Sequence, residues 1–289
     1  MKKSPLNLTL FCLALYTGVA ISPSFPIPFQ TPVFGQTVEG ISRIKFVSLP
    51  SQPREPRQSG PGITREVISQ ITFEPPPGQA GTPGQAGAGG TRGKCPQDRT
   101  EPDPPLTLLI PLNKQVLTVA EHPTFFVYVP PTLAQIAQFV LKEKVSSSQS
   151  KVIYEAKFPL SGTSGIVSLR MPDTANKLEI GKHYQWSFAL ICDPLDRGED
   201  KIQSSSIQRT EINANLAKEL EQATPLDRAN LYAKNGIWQD AIATLVELRN
   251  SQPDNTNVKV IWEELLQSEP VKLNQVAKQP LVNCCQAQN

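Results

Sequence analysis

The chain has 289 residues, which is room for one large domain or two small ones. Its 28 lysines and arginines nearly balance its 26 aspartates and glutamates, for a formal net charge of +2. Proteins that bind nucleic acid or anionic membranes through bulk electrostatics carry a clear excess of positive charge. The composition therefore argues against both kinds of partner.

The N-terminus has the pattern of a secretory signal. Lys2 and Lys3 precede an apolar run over residues 6–21, as in the charged and hydrophobic parts of such signals. Small residues offer cleavage after about residue 20 or 35, so we assign residues 1–35 to a signal peptide. An uncleaved anchor is the alternative, but Pro23 ends the apolar run short of the roughly 20 residues that a span needs. We therefore expect an exported protein of the periplasm or cell envelope, with no stable membrane span after cleavage. The thylakoid lumen and the extracellular space remain alternatives.

Residues 36–103 are rich in proline and glycine. Such a composition cannot bury enough apolar surface to fold, so it predicts a long disordered linker. Within this region, residues 41–49 and 66–73 alternate weakly between apolar and polar side chains. Either stretch could add an edge strand to a neighbouring sheet.

Residues 104–210 change to short runs with period-two alternation, bounded by Pro, Gly, Asn and Asp. About eight such runs at this spacing predict an antiparallel β-sandwich-like domain, with a barrel as the alternative. The clearest run is 183–192, in which Trp186 and Phe188 share a face that we assign to the core. Phe126 and Tyr128 face opposite to Phe125 and Val127, so one of these two sets could be exposed, where its rings could stack on a sugar. The candidate strands are 106–111, 116–119, 124–130, 139–145, 152–160, 165–171, 183–192 and 201–209.

Residues 211–268 have a helical period. Thr224 and Pro225 form a helix start, Asp227 supports it, and Gly236 supplies the turn into the next helix. One further amphipathic helix follows around Trp262. The fold class is therefore α+β, with a β-domain followed by a helical hairpin and one more helix. Residues 269–289 read as a flexible tail.

Residues 229–254 resemble a single tetratricopeptide-like repeat, in which small residues let two antiparallel helices approach closely. A lone repeat cannot bury its own apolar faces, because at least about three are normally stacked. We therefore expect this hairpin to dock on the β-domain or on the helix around Trp262. The positions that carry the resemblance are Ala229, Tyr232, Gly236, Ala241, Leu245, Leu248 and Pro253.

The chain has five cysteines, one of which, Cys12, lies in the predicted signal peptide. The other four allow three disulfide connectivities in an oxidising compartment. We favour Cys95 with Cys192, because both lie at edges of the predicted core. Cys284 and Cys285 are adjacent near the C-terminus, where either could link two copies into a dimer. The cysteine spacings do not match a zinc site.

Candidate sites are few. The carboxylates of residues 193–200 could hold calcium, but their spacing lacks the alternation of a calcium loop, so a solvated turn is the competing interpretation. His122 and His183 are expected at the surface or in turns, and no pattern predicts catalytic or cofactor-binding residues. Peptide capture by the hairpin would use polar residues along its helices. The calcium candidates are Asp193, Asp196, Glu199 and Asp200; the interaction candidates are Asn230, Lys234, Asn235 and Gln239.

A set of ordered motifs resembles one family. The motifs are GTRGKC, LTVAEHPTFFVYVP, GIVSL, GKHYQWSFALICDPLDRGED, IQR and LYAKNGIWQDAIATLVEL, over roughly residues 75–266. They are similar to the cyanobacterial exported proteins of the domain-of-unknown-function family numbered nine-two-eight. The resemblance implies an envelope protein with a β-domain and a helical tail, and it brings no activity, cofactor or catalytic residue.

These observations together favour an exported, non-enzymatic binding or assembly protein whose partner is an unknown protein or an envelope polymer. Two alternatives stay open. One is a carbohydrate- or peptidoglycan-binding or -active protein that uses His122 and the carboxylates of the β-domain. The other is a purely structural component of the envelope.

Overall fold

The computed structural model of this chain describes residues 70–76 and 95–282. The predicted signal peptide, most of the predicted linker, and Cys284 and Cys285 lie outside these residues. Within them the fold is mixed α+β, with eight strands in two sheets followed by four α-helices. The strands are β1 Thr107–Leu108, β2 Leu117–Thr118, β3 Thr124–Val129, β4 Ile136–Lys144, β5 Ser150–Pro159, β6 Gly165–Arg170, β7 His183–Ile191 and β8 Lys201–Arg209. The helices are α1 Ala214–Gln222, α2 Pro225–Lys234, α3 Trp238–Ser251 and α4 Thr256–Gln267.

The larger sheet has five strands in the order β2-β8-β7-β4-β5. All neighbours are antiparallel except β2, which runs parallel to β8. Trp186 and Phe188 on β7 are 1% and 0% exposed, so the aromatic face assigned to the core is confirmed. His183 and Gln185 lie on the opposite face and are exposed.

The smaller sheet has three antiparallel strands in the order β1-β3-β6, and its central strand has no exposed face. Phe125 packs with its ring centroid 4.8 Å from the rings of both Phe139 and Trp186 in the larger sheet. Phe126 and Tyr128 are 3% and 2% exposed. Neither face of this strand is therefore exposed, and these rings are not available to stack on a sugar.

The helices begin where the sequence predicts. Thr224 accepts a hydrogen bond from the Asp227 backbone N–H at 3.2 Å, and Pro225 occupies the first turn of α2. A side-chain oxygen at the N-cap satisfies an amide that the helix itself leaves unpaired. Gly236, at φ 71°, separates α2 from α3. None of the helices in the described ranges is long and apolar enough to cross a membrane.

Two segments expected to be flexible contribute to the core instead. Residues 269–282 follow α4 and bury Val271, Val276 and Ala277 at 1% exposure or less. Trp262 Nε1 donates a hydrogen bond to the Ala277 carbonyl at 3.0 Å. The flexible-tail prediction is therefore wrong for these residues, because their spaced apolar side chains cover the α4 helix.

The second segment is residues 70–76, which fall inside the predicted linker and are called the strap below. Ile71 and Phe73 are 2% and 1% exposed within the main hydrophobic core. The strap takes no regular secondary structure. Its burial corrects the linker prediction for these seven residues, because two apolar side chains two positions apart find a partner surface.

Candidate functional site

The hairpin formed by α2 and α3 depends on small residues. Ala229, Ala233 and Ala241 are all 0% exposed, which allows the two helices to approach closely. The Asn235 N–H donates to the Leu231 carbonyl at 3.1 Å and the Ile237 N–H donates to the Tyr232 carbonyl at 2.9 Å, so the turn closes tightly.

The strap lies against this hairpin. Phe73 packs edge-on against Trp238, with ring centroids 5.1 Å apart and an interplanar angle of 75°. The Glu74 N–H donates to the carbonyl of Ala233 at 3.1 Å. The hairpin therefore holds a segment of its own chain through one backbone hydrogen bond and the buried ring of Phe73, while Ile71 is buried in the main core.

Gly236 is required both by the turn and by the strap. Its φ of 71° lies in the left-handed region, which side chains other than glycine adopt at a cost. A β-carbon there would lie 2.8 Å from Pro76 Cγ and 3.0 Å from the Glu74 carbonyl oxygen. The strap thus passes directly over a position that only glycine fits.

The four predicted interaction residues do not form one surface. Lys234 and Asn235 are exposed, although the Asn235 side chain donates to the Leu231 carbonyl at 2.8 Å. Asn230 is partly buried, and its Oδ1 is fully covered. Gln239 is 2% exposed, because its side-chain amide donates to the Thr124 carbonyl of β3. The assignment of Gln239 to an exposed binding face is therefore wrong, since it joins the hairpin to the smaller sheet.

The hairpin meets the β-strands at a second polar contact. Asp240 lies in the first turn of α3, and its carboxylate accepts a hydrogen bond from the Val119 N–H at 3.0 Å. It also accepts one from the side chain of Thr118, which is fully buried. Burial raises the pKa of Asp240 to about 6, against these hydrogen bonds, which favour the charged form. Trp238 adds a third link, because its Nε1 donates to the Leu109 carbonyl at 2.8 Å.

At the other end of the β-strands, Cys95 and Cys192 form a disulfide, as favoured from the sequence. The Lys201 ammonium lies beside it in a charged cluster, 3.5 Å from Asp98 and 3.6 Å from Glu101. The side chains of Lys201 and Asp98 are 4% and 6% exposed. Buried charges of this kind need partners, so the cluster fixes residues 95–101 against β8.

The predicted calcium carboxylates are used by their own loop. Asp193 accepts the Leu195 N–H at 2.8 Å and Asp196 accepts the Gly198 N–H at 3.0 Å, as in Asx turns. Asp200 turns inward and accepts Arg197 Nε at 2.6 Å. Within residues 70–76 and 95–282, no three Asp, Glu, His or Cys side chains are grouped as metal ligands. The candidate set Asp193, Asp196, Glu199 and Asp200 therefore does not converge on one point.

The two histidines take different positions. His122 Nε2 lies 3.0 Å from the Ala175 carbonyl and Nδ1 lies 3.9 Å from the exposed carboxylate of Asp173. His183 lies at the exposed start of β7. His122 is thus tied to the backbone of a neighbouring loop.

Sequence reasoning missed the residues that build the strap contact, namely Ile71, Phe73, Pro76 and Trp238. The weak alternation over residues 66–73 was the available signal, since it places Ile71 and Phe73 on one side of an extended chain. It predicted an edge strand, whereas in the structure Phe73 and Glu74 contact the helical hairpin. Nothing in the local pattern identifies Trp238 as its partner.

No curated protein matches the chain. One family model matches residues 87–281, which is more than half of the chain, and its description is Domain of Unknown Function (DUF928). The chain therefore belongs to the DUF928 family.

Proposed function

We propose that this protein is an exported, non-enzymatic binding or assembly factor of the cell envelope. In this proposal the two sheets form a β-sandwich-like body, and residues 229–254 form a single tetratricopeptide-like repeat attached to it. The export pattern of residues 1–35 and the resemblance to exported cyanobacterial members of the family support the compartment.

One observation carries the binding role: the hairpin holds an extended segment. Tetratricopeptide-like repeats use paired helices to present surfaces to other chains. Here Phe73 is enclosed against Trp238 and the backbone of Glu74 is bonded to Ala233. A helical surface that takes up one extended segment by side-chain anchors and a main-chain hydrogen bond has the chemistry of a peptide-holding module.

Lys234 and Asn235 lie exposed beside this contact, at the end of α2. They are the part of the predicted interaction set that remains accessible to a partner. Lys234 follows Ala233, whose carbonyl accepts the strap hydrogen bond. A partner that approaches the strap therefore passes close to Lys234.

A photo-cross-linking side chain at position 234, introduced in the native host, tests this proposal. The matched control places the same side chain at Lys259, which is exposed on α4. We expect a discrete envelope protein or polymer attached at position 234 and absent at position 259, in the exported fraction of the cells. Identical adducts at both positions, or a chain that stays in the cytoplasm, would contradict the proposal.

A further inference from the structure

The strap occupies a built site. We propose that the surface formed by Ala233, Gly236 and Trp238, called the peptide site below, recognises extended peptides and that the strap is its exchangeable resident occupant. The ligand class has an aliphatic residue, an aromatic residue two positions later and a proline three positions beyond that, as in the strap. This inference rests on the proposed function, because it names the chemistry of the segment that a binding protein of this kind takes.

Buried and exposed side chains alternate along the strap, as they do in an extended chain. Ile71 and Phe73 are buried, whereas Gln70, Thr72 and Glu74 are exposed. Side chains alternate between two sides in extended backbone, so the two anchors enter the core while their neighbours face solvent. Recognition through a main-chain hydrogen bond and alternate side chains is a recurrent mode of peptide binding.

The aromatic position is selected by Trp238. Its ring meets Phe73 edge-on at 5.1 Å, an arrangement that aromatic pairs favour. The indole is also fixed from the other side, because its Nε1 donates to the Leu109 carbonyl at 2.8 Å. The bond to the β-strand end involves no strap atom, so the partner of the aromatic anchor is oriented independently of the occupant.

The proline position is selected by Gly236. Pro76 fits over this residue because no β-carbon is present, and one placed there would lie 2.8 Å from Pro76 Cγ and 2.9 Å from Cδ. Gly181 has a similar φ of 79°, but a β-carbon there would meet nothing within 4 Å. Of these two glycines, only Gly236 must lack a β-carbon for lack of space.

In the sequence, 18 residues, 77–94, separate the strap from the disulfide-bonded Cys95. An occupant that belongs to the same chain as its site competes at an effective concentration on the order of millimolar. A partner with more contacts, or one displayed at high density, can displace such an occupant. The strap therefore keeps the peptide site covered until a stronger segment of the same class is present.

The test uses a fluorescent peptide with the sequence of residues 70–76 and full-length protein. Phe73→Ala weakens the resident strap but leaves the peptide site intact. We expect this variant to bind the peptide at least tenfold more tightly than the wild type does. A peptide with alanine in place of its phenylalanine should bind neither protein. Equal, absent or phenylalanine-independent binding would overturn the inference.

Gly236→Ala and Gly181→Ala, each combined with Phe73→Ala, separate the peptide site from general backbone strain. Both substitutions place alanine at a positive φ, but only the first meets the strap. We expect Gly236→Ala to abolish peptide binding and Gly181→Ala to leave it within about twofold, with folding of each checked by circular dichroism. Loss of binding in both variants, or in neither, would contradict the assigned site.

Native-state hydrogen exchange of the wild type avoids variants altogether. If the strap leaves the peptide site at times, the Glu74 amide must exchange its hydrogen much faster than the amides of β7 do. Glu74 exchange at the rate of the slowest core amides would overturn the inference. If peptide binding fails while the specific cross-links at position 234 persist, the ligand class is wrong and the proposed function stands. If only the cross-links fail, the proposed function is wrong.

Discussion

Replacing Asp240 with asparagine tests how the hairpin is joined to the β-strands. Asparagine keeps the size of the side chain and an oxygen that can accept the Val119 N–H, but it does not titrate. In the wild type, burial raises the pKa of Asp240 from 3.8 to about 6. The variant therefore removes the proton linkage while it keeps the contact.

The sign follows from the direction of the shift. Because the folded pKa of Asp240 lies above the unfolded one, the folded state binds a proton more tightly than the unfolded chain does. The stability from this proton is fully present below about pH 4 and is lost as the pH rises through about 6. A difference of about two pKa units at roughly 1.4 kcal/mol per unit corresponds to about 3 kcal/mol.

Urea unfolding of both proteins at pH 4, 5, 6 and 7 measures this linkage. We expect the free energy of unfolding of the wild type, minus that of Asp240→Asn, to fall by about 2.4 kcal/mol from pH 4 to pH 7, because at pH 4 the unfolded carboxyl is already partly ionised. Other titrating groups are common to both proteins and cancel in the difference. Glu264→Gln, at an exposed position on α4, serves as a control. A difference that is flat across this pH range would refute the reasoning, and a rise with pH would show that charge stabilises the contact.

Changes at three further places probe the rest of the fold. Replacing both cysteines of the disulfide, which are 97 residues apart, should cost about 4–5 kcal/mol in denaturant unfolding and remove the effect of added reductant. Lys201→Met leaves Asp98 buried without its cation and should cost about 3–5 kcal/mol, much of it recovered when Asp98 is also replaced by asparagine. Gly165→Ala places a β-carbon 2.6 Å from Val282 Cγ1, so the Val282 amide should lose hydrogen-exchange protection while the amides of β7 keep theirs.

The sequence was most informative where local chemistry decides structure. The start of α2 was predictable because Thr224 and Pro225 fit a helix N-terminus whatever lies around them. The core face of β7 was predictable because alternation places Trp186 and Phe188 on one side. Both signals depend only on residues adjacent in the chain.

The sequence was less informative for elements that are covered on all sides. Assigning faces from period-two alternation assumes that one face of a strand is exposed to solvent, and β3 has no exposed face. Gln239 was assigned to the surface because it is polar, yet its amide donates to the Thr124 carbonyl at the start of β3. A buried polar residue that has a distant backbone partner cannot be recognised from its neighbours in sequence.

The strap was also missed because its partner is distant in sequence. Ile71 and Phe73 lie in a composition that predicts disorder, and the partner of Phe73 is Trp238, far along the chain. Two apolar residues in an otherwise polar segment carry too little information to name their partner. The same is true of residues 280–282, where the Val282 N–H donates to the Ile166 carbonyl at 2.9 Å.

The position of Trp238 connects the three parts of the molecule. One side of its ring receives Phe73 from the strap, its Nε1 donates to Leu109 at the end of β1, and its backbone begins α3. Removal of the strap would expose one side of this ring while leaving the bond to the strand end in place. The peptide site can therefore be emptied and refilled without separating the hairpin from the sheets. Asp240, two residues later, is a second link between the hairpin and the strands, and its contact with Val119 also involves no strap atom. An isolated hairpin would lack both supports, which is why its binding surface depends on the β-domain beneath it.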